Sequence, residues 1–130
     1  MLRQPTNGQL ALLCDIKGPA PVDETVLASF GDEEERAIKQ AIQWAWLHRR
    51  VQAMSQNRAA ELCGMKTSHF SNMLWRDKYL PPQKLNQYEW VMGNTAVSQT
   101  LQRFREQREA EAVRQVAQLV AEQMVCGGRS

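Results

Sequence analysis

The chain has little of the chemistry that marks an enzyme. Its 130 residues include two histidines, His48 and His69, and three cysteines, Cys14, Cys63 and Cys126. The cysteines are odd in number and far apart, and they form neither a CxxC pair nor a Cys/His metal-ligand pattern. Neither histidine stands in a nucleophile or metal spacing, and no glycine-rich phosphate loop is present. No catalytic residue, metal site, cofactor or small-molecule ligand is therefore expected. No apolar run approaches the length of about 20 residues that spans a bilayer. The N-terminus lacks the basic start, apolar stretch and small-residue cleavage site of a secretory signal. The expectation is a cytoplasmic protein without a membrane partner, and a reducing compartment suits all three cysteines. Cys63 falls at an apolar helical position and reads as a small core residue.

What is present is a modest core and a segregated charge. Hydrophobic residues make up 43% of the chain, enough for one domain with tails. The net charge of +2 conceals three blocks. Residues 1–35 carry two bases against seven acids, a net of −5. Residues 36–108 carry twelve bases against four acids, a net of +8, and residues 109–130 have a net of −1. A basic block between acidic flanks fits a polyanionic partner.

Residues 1–31 hold the breakers Pro5, Gly8, Gly18-Pro19 and Pro21. They read as a partly ordered N-terminal arm, with Gln9 to Ile16 apolar enough for a short strand or docked segment. Asp32 and Glu35 have capping-box spacing and open a helix that is expected to reach about Gln52. Ile38, Ala41, Ile42 and Ala45 form its core stripe. Trp44, Trp46, Leu47 and Val51 widen it, so a second partner is expected, either the arm or another subunit. Further on, Pro81-Pro82 starts a helix to about Met92, with Leu85, Tyr88, Val91 and Met92 facing the core.

The segment MSQNRAAELCGMKTSHFSNML, from Met54 to Leu74, is the most informative. It predicts a helix over 56–63, a turn at Gly64, and a second helix from Thr67 to about Trp75. Ala60 is small where two helices would cross closely. Gly64 stands where a positive φ is cheap only for glycine. Phe70, Met73 and Leu74 form an apolar edge that pins the second helix. Thr67, Ser68, His69, Ser71 and Asn72 are polar side chains of a length that reaches base edges.

Ser55-Gln56, Ala60, Gly64 and Thr67-Ser68 resemble the helix-turn-helix of the phage Cro and C1 repressor type. The likeness extends loosely to Gly93 and covers residues 35–95, about half the chain. Where that family often has a glycine after the recognition helix, this chain has Arg76-Asp77-Lys78-Tyr79. The resemblance implies an all-α, five-helix repressor-like domain over residues 32–104, with the helix from Thr67 entering the major groove of double-stranded DNA. It implies a phosphate contact at Gln56 and base contacts from Thr67, Ser68, Ser71 and Asn72, of which Asn72 is the best adenine reader. His69 is expected to meet phosphate, base or solvent. Lys66, Arg76 and Lys78 are expected to hold phosphates, and Trp75 to cover the core edge or, as the alternative, to pack on sugar.

A last long helix is expected from Asn94 or Thr95 to about Val125. Val97, Leu101 and Phe104 form a first apolar stripe that closes the domain. After the polar stretch over residues 105–111, a second stripe of Val113, Val116, Leu119, Val120 and Met124 is expected to make a homodimer over residues 105–130. The combined expectation is a sequence-specific transcriptional regulator, dimeric on a palindromic operator. The alternatives are a helical protein-interaction module of the antitoxin or adaptor type, and a phage DNA-packaging or replication recognition subunit.

Overall fold

A computed structural model describes residues 17–127 of the chain. Among them are six α-helices and no named strand: α1 (Glu24–Ser29), α2 (Glu34–Leu47), α3 (Gln56–Leu62), α4 (Thr67–Trp75), α5 (Leu85–Met92) and α6 (Ala96–Gly127). A 3₁₀ turn over Pro82–Lys84 leads into α5. The all-α expectation holds, with one helix more than the five expected. No helix among these residues is long and apolar enough to cross a membrane.

The extra helix lies in the segment read as an arm. Residues 18–31 are docked, not loose. Ala20 and Asn94 form a parallel β-bridge, in which the Ala20 N–H donates to the Gly93 carbonyl at 3.0 Å and the Thr95 N–H to the Ala20 carbonyl at 3.0 Å. Gln99 then acts as a surrogate peptide. Its Oε1 accepts from the Val22 N–H at 2.7 Å and its Nε2 donates to the Val22 carbonyl at 3.1 Å. Arg103 donates to the carbonyls of Leu27 and Gly31. Val22, Leu27 and Phe30 are buried as a result. Turn residues were legible in this stretch, but the polar side chains of α6 that hold it lie some 75 positions away. The strand or docked segment expected over Gln9 to Ile16 lies outside the described residues.

The start and end of α2 differ from expectation. Glu33 is the N-cap, its side chain makes no capping hydrogen bond, and Asp32 stands one residue too early. The helix stops at Leu47 instead of Gln52 because Arg49 draws the chain into a loop. The Arg49 guanidinium lies 3.8 Å from the Trp46 ring centroid and donates to the carbonyls of Trp46, Gln52 and Met54. Ser55 then caps α3 by accepting from the Arg58 N–H at 3.1 Å. The docked N-terminal segment covers part of the widened face of α2, since Phe30 packs edge-on against Trp44 at 6.5 Å between centroids, while the most extensive neighbour of α2 is α6. Leu47 and Val51 stay exposed.

The core sits where α2, α4, α5 and the first half of α6 converge. Ala41, Ala45, Ala60, Phe70, Met73, Leu74, Tyr88, Met92 and Ala96 are fully buried. Phe70 is its centre, tilted between Trp46 at 5.7 Å and Tyr88 at 6.1 Å. Burying a phenol requires a partner for its hydroxyl, and Tyr88 donates to the Ile42 carbonyl at 2.6 Å. The α5–α6 corner turns at Gly93, whose φ of +89° ends α5 in the left-handed conformation. Asn94 Oδ1 accepts from the Ala96 N–H, and the buried Glu89 carboxylate accepts from the Ser98 N–H at 2.9 Å and the Ser98 hydroxyl at 2.6 Å. A carboxylate at the positive end of a helix is favourably placed.

Candidate functional site

The site is built on α3, the turn and α4. Gly64 takes φ +69° between the two helices. Its N–H donates to the Glu61 carbonyl and the Met65 N–H to the Ala60 carbonyl, which closes the end of α3. Ala59, Ala60 and Cys63 are fully buried beneath the crossing. Burial pushes the Cys63 thiol up to about 11, with nearby Lys84 opposing the shift. Cys63 is thus a core residue, as expected, and not a nucleophile poised at neutral pH.

Phe70, Met73 and Leu74 anchor α4 on one side. At 3.6 residues per turn, Ser68 and Asn72 fall on the other, Ser71 lies at its edge, and Thr67, seven residues before Leu74, opens the helix above the anchored side. Thr67 and Ser68 are exposed, while Ser71 and Asn72 are half-buried. None of their side chains makes a hydrogen bond within the chain among the described residues, so their polar groups are available to a ligand. Lys66, Arg76 and Lys78 are exposed and make no ion pair among those residues. Gln56 is half-buried at the start of α3, beside the Ser55 cap.

Two residues behave differently from expectation. Trp75 does not cover the core edge. It is 47% exposed, because it follows Ser68 and Ser71 at i+7 and i+4 and so shares their outward face. His69 is turned the other way. It is half-buried, and its Nε2 is enclosed without a hydrogen-bond partner, so that nitrogen does not present itself to a ligand in solvent.

The sequence reading missed the residues of α2 that hold the far end of α4. Lys39 Nζ donates to the Met73 carbonyl at 2.5 Å and to the Lys78 carbonyl at 3.0 Å, and Gln43 Nε2 donates to the Leu74 carbonyl at 2.8 Å. The last carbonyls of a helix have no partner within it, and here two of them are supplied from α2. Burial lowers the Lys39 pKa, with Asp77 opposing. The bond to the Lys78 carbonyl also fixes the path of the loop that follows α4. Lys39 and Gln43 stand four apart, one turn, at the polar edge of the α2 stripe. That spacing was visible, but their target was not.

Beside the loop, Glu33, Arg36, Ile38, Lys39, Asp77 and Tyr79 contribute to an open surface cavity of about 370 Å³. Its charges are mixed in sign, and it does not extend the polar face of α4. No group of three or more His, Cys, Asp or Glu side chains is gathered as a metal cluster among the described residues.

The second apolar stripe of α6 lies beyond the domain. Val113, Val116, Leu119, Val120 and Met124 are 52–72% exposed. Surface ion pairs flank the start of the stripe: Arg108 with Glu34 of α2, and Arg114 with Glu111 on α6 itself.

Comparison of the chain with protein-family models, curated proteins and solved structures gave no match.

Proposed function

We propose that the chain is a sequence-specific double-stranded DNA-binding regulator that lays α4 in the major groove. The observation that carries this reading is the outward face of α4. It presents short polar side chains that make no hydrogen bond among the described residues, flanked by the cations Lys66, Arg76 and Lys78, which make no ion pair among them, on a helix braced at its apolar side and at its C-terminal end. Base readout needs such a helix, because a side chain discriminates only if its backbone is held still. The block of net charge +8 over residues 36–108 supplies the non-specific attraction to phosphate.

In this reading Thr67, Ser68, Ser71 and Asn72 face base edges, and Gln56, Lys66, Arg76 and Lys78 face phosphates. Trp75, on the same face, packs on sugar at the groove wall. His69 is left out, since its Nε2 is enclosed. The protein acts as a homodimer through the second stripe of α6, on a two-fold symmetric site. A protein-docking face would carry more large apolar groups than the one, Trp75, that stands here among Thr67, Ser68, Ser71 and Asn72.

Selection of bound sites from random duplex DNA tests the proposal. The expected result is an enriched palindromic motif, with affinity falling steeply as salt rises, at about one power of salt concentration per phosphate contact. Equal affinity for selected and random duplexes would refute base readout. No binding at low salt would refute the DNA reading altogether.

A further inference from the structure

Most of the second apolar stripe of α6 lies on the side of the helix opposite the first; Leu119, five full turns after Leu101, is the exception. Phe104, buried in the domain core, and Val113, the first exposed valine of the second stripe, are nine residues apart. At 3.6 residues per turn that is two and a half turns. Val113, Val120 and Met124 therefore face away from the side on which α6 meets its own domain, and no described residue of the chain covers them.

The stripe has a definite register. Ala110, Val113, Ala117, Val120 and Met124 alternate in steps of three and four and are all exposed, which makes an unbroken heptad seam of a and d positions. Val116 borders this seam, and Leu119, about a third of a turn from Val120, lies off it. The competing register through Val113, Val116 and Val120 would put Glu109 and Gln123 on the seam. In the unbroken register Glu109 is a g position and Arg114 the e position five residues later. In a parallel, in-register pair, each g residue faces the e residue of the following heptad on the other chain. In an antiparallel pair, g faces g and e faces e, and no opposite charges meet along this seam.

We propose that the second stripe of α6 pairs with that of a second copy as a parallel, in-register coiled coil, in which Glu109 of each chain faces Arg114 of the other. Arg114 bonds Glu111 of its own helix in the single chain, and both groups are exposed, so the guanidinium can be shared or exchanged at little cost. The parallel polarity puts both α4 helices at the same end of the coil. This inference rests on the dimeric part of the reading above, and its test involves no DNA, so its failure and the failure of DNA recognition are distinguishable.

The test uses the full chain with Cys14→Ser and Cys126→Ser, leaving buried Cys63 in place. Circular dichroism at the concentration used checks that each variant is folded. Mass measurement at tens of micromolar should give a dimer. Glu109→Arg alone and Arg114→Glu alone should each weaken it, by roughly three- to tenfold in dissociation constant, since each places like charges opposite. An equimolar mixture of the two single variants should recover a mixed dimer of about wild-type strength. Oxidation should cross-link Val113→Cys across the seam and leave Leu119→Cys monomeric on a denaturing gel. A folded monomer overturns the proposal. So does a dimer indifferent to both charge reversals, or one that cross-links through position 119 and not 113. In an antiparallel pair the two 113 positions would lie apart along the seam.

Discussion

Lys39 and Met73 join the two helices on which the candidate site depends: the ammonium on α2 donates to a main-chain carbonyl in the last turn of α4. The same ammonium reaches Lys78 in the following loop. A cation at the negative end of a helix is favourable, and charge-assisted hydrogen bonds exceed neutral ones in strength. Desolvation of the ammonium opposes both, which is why its pKa is lowered.

Lys39→Met keeps the aliphatic stem and removes the donor. The expected loss is about 1–2 kcal/mol in a denaturant melt, since the freed carbonyls are partly open to water. The local effect should be larger than the global one. The amide of Arg76, which donates to the Asn72 carbonyl at 2.8 Å, should exchange with solvent much faster in the variant. Unchanged Arg76 protection would mean that the last turn of α4 does not depend on α2.

Gly64 and Ala60 separate two kinds of constraint. A Cβ at Gly64 would come within 2.8 Å only of the Lys84 Nζ, the mobile end of a long side chain. The cost of substitution is therefore conformational, from φ +69°. Gly64→Val should lose about 1–3 kcal/mol, and Gly64→Asn distinctly less, because Asn tolerates this conformation. Ala60 is fully buried at the helix crossing, so Ala60→Val should lose about 1–3 kcal/mol by overpacking. Thermal melts on the three variants check the order; equal losses for Val and Asn at 64 would point to a clash and not to backbone strain.

The parts of the fold legible in advance were those written in local spacing. Gly64, Pro82 and Gly93 mark the α3–α4 turn, the approach to α5 and the α5–α6 turn within a residue or two, because each imposes or permits a backbone conformation by itself. Phe70, Met73 and Leu74 were readable as a face for the same reason. What escaped were long-range side-chain-to-backbone bonds. Gln99 and Arg103 turn an apparently loose N-terminal segment into docked structure containing α1. Arg49 ends α2 early by gathering carbonyls of its own loop. Lys39 and Gln43 reach carbonyls more than thirty residues away, which no local pattern encodes. For the candidate site, the polar positions of α4 were visible in the pattern, whereas the outward turn of Trp75 and the inward turn of His69 depend on how α4 is rotated against the core.

Cys63 should govern part of the alkaline sensitivity. Its folded pKa is raised from 9.0 to about 11. Between those values the unfolded chain gives up its proton and the folded chain keeps it, so stability is full below pH 9 and declines as pH rises toward about 11. Tyr88, also raised by burial, adds a loss of the same sign above about pH 10. Lys39, lowered from 10.5, acts oppositely just below that value. Cys63→Ala should therefore be less stable at pH 7, through the lost buried sulfur, yet show a flatter decline between pH 9 and 10, before Tyr88 contributes. Parallel curves for the two proteins across that interval would mean that the thiol stays protonated or is hydrated on ionisation.

The proposed readout divides α4 into two classes of substitution. Asn72→Ala and Ser68→Ala remove groups assigned to base edges, so they should compress the affinity difference between selected and scrambled duplexes. The expected reduction is about 1–3 kcal/mol where a bidentate contact is lost. Lys66→Ala and Lys78→Ala remove phosphate partners. They should weaken all duplexes alike and lower the salt slope by roughly one unit each. His69→Gln should leave site ranking unchanged and alter stability instead, because its Nε2 is enclosed. Binding isotherms at three salt concentrations, on one selected and one scrambled duplex, distinguish these outcomes. If Asn72→Ala leaves the ranking intact while His69→Gln reorders it, then α4 is rotated in the complex and the reading face is centred on His69 instead of Ser68 and Ser71.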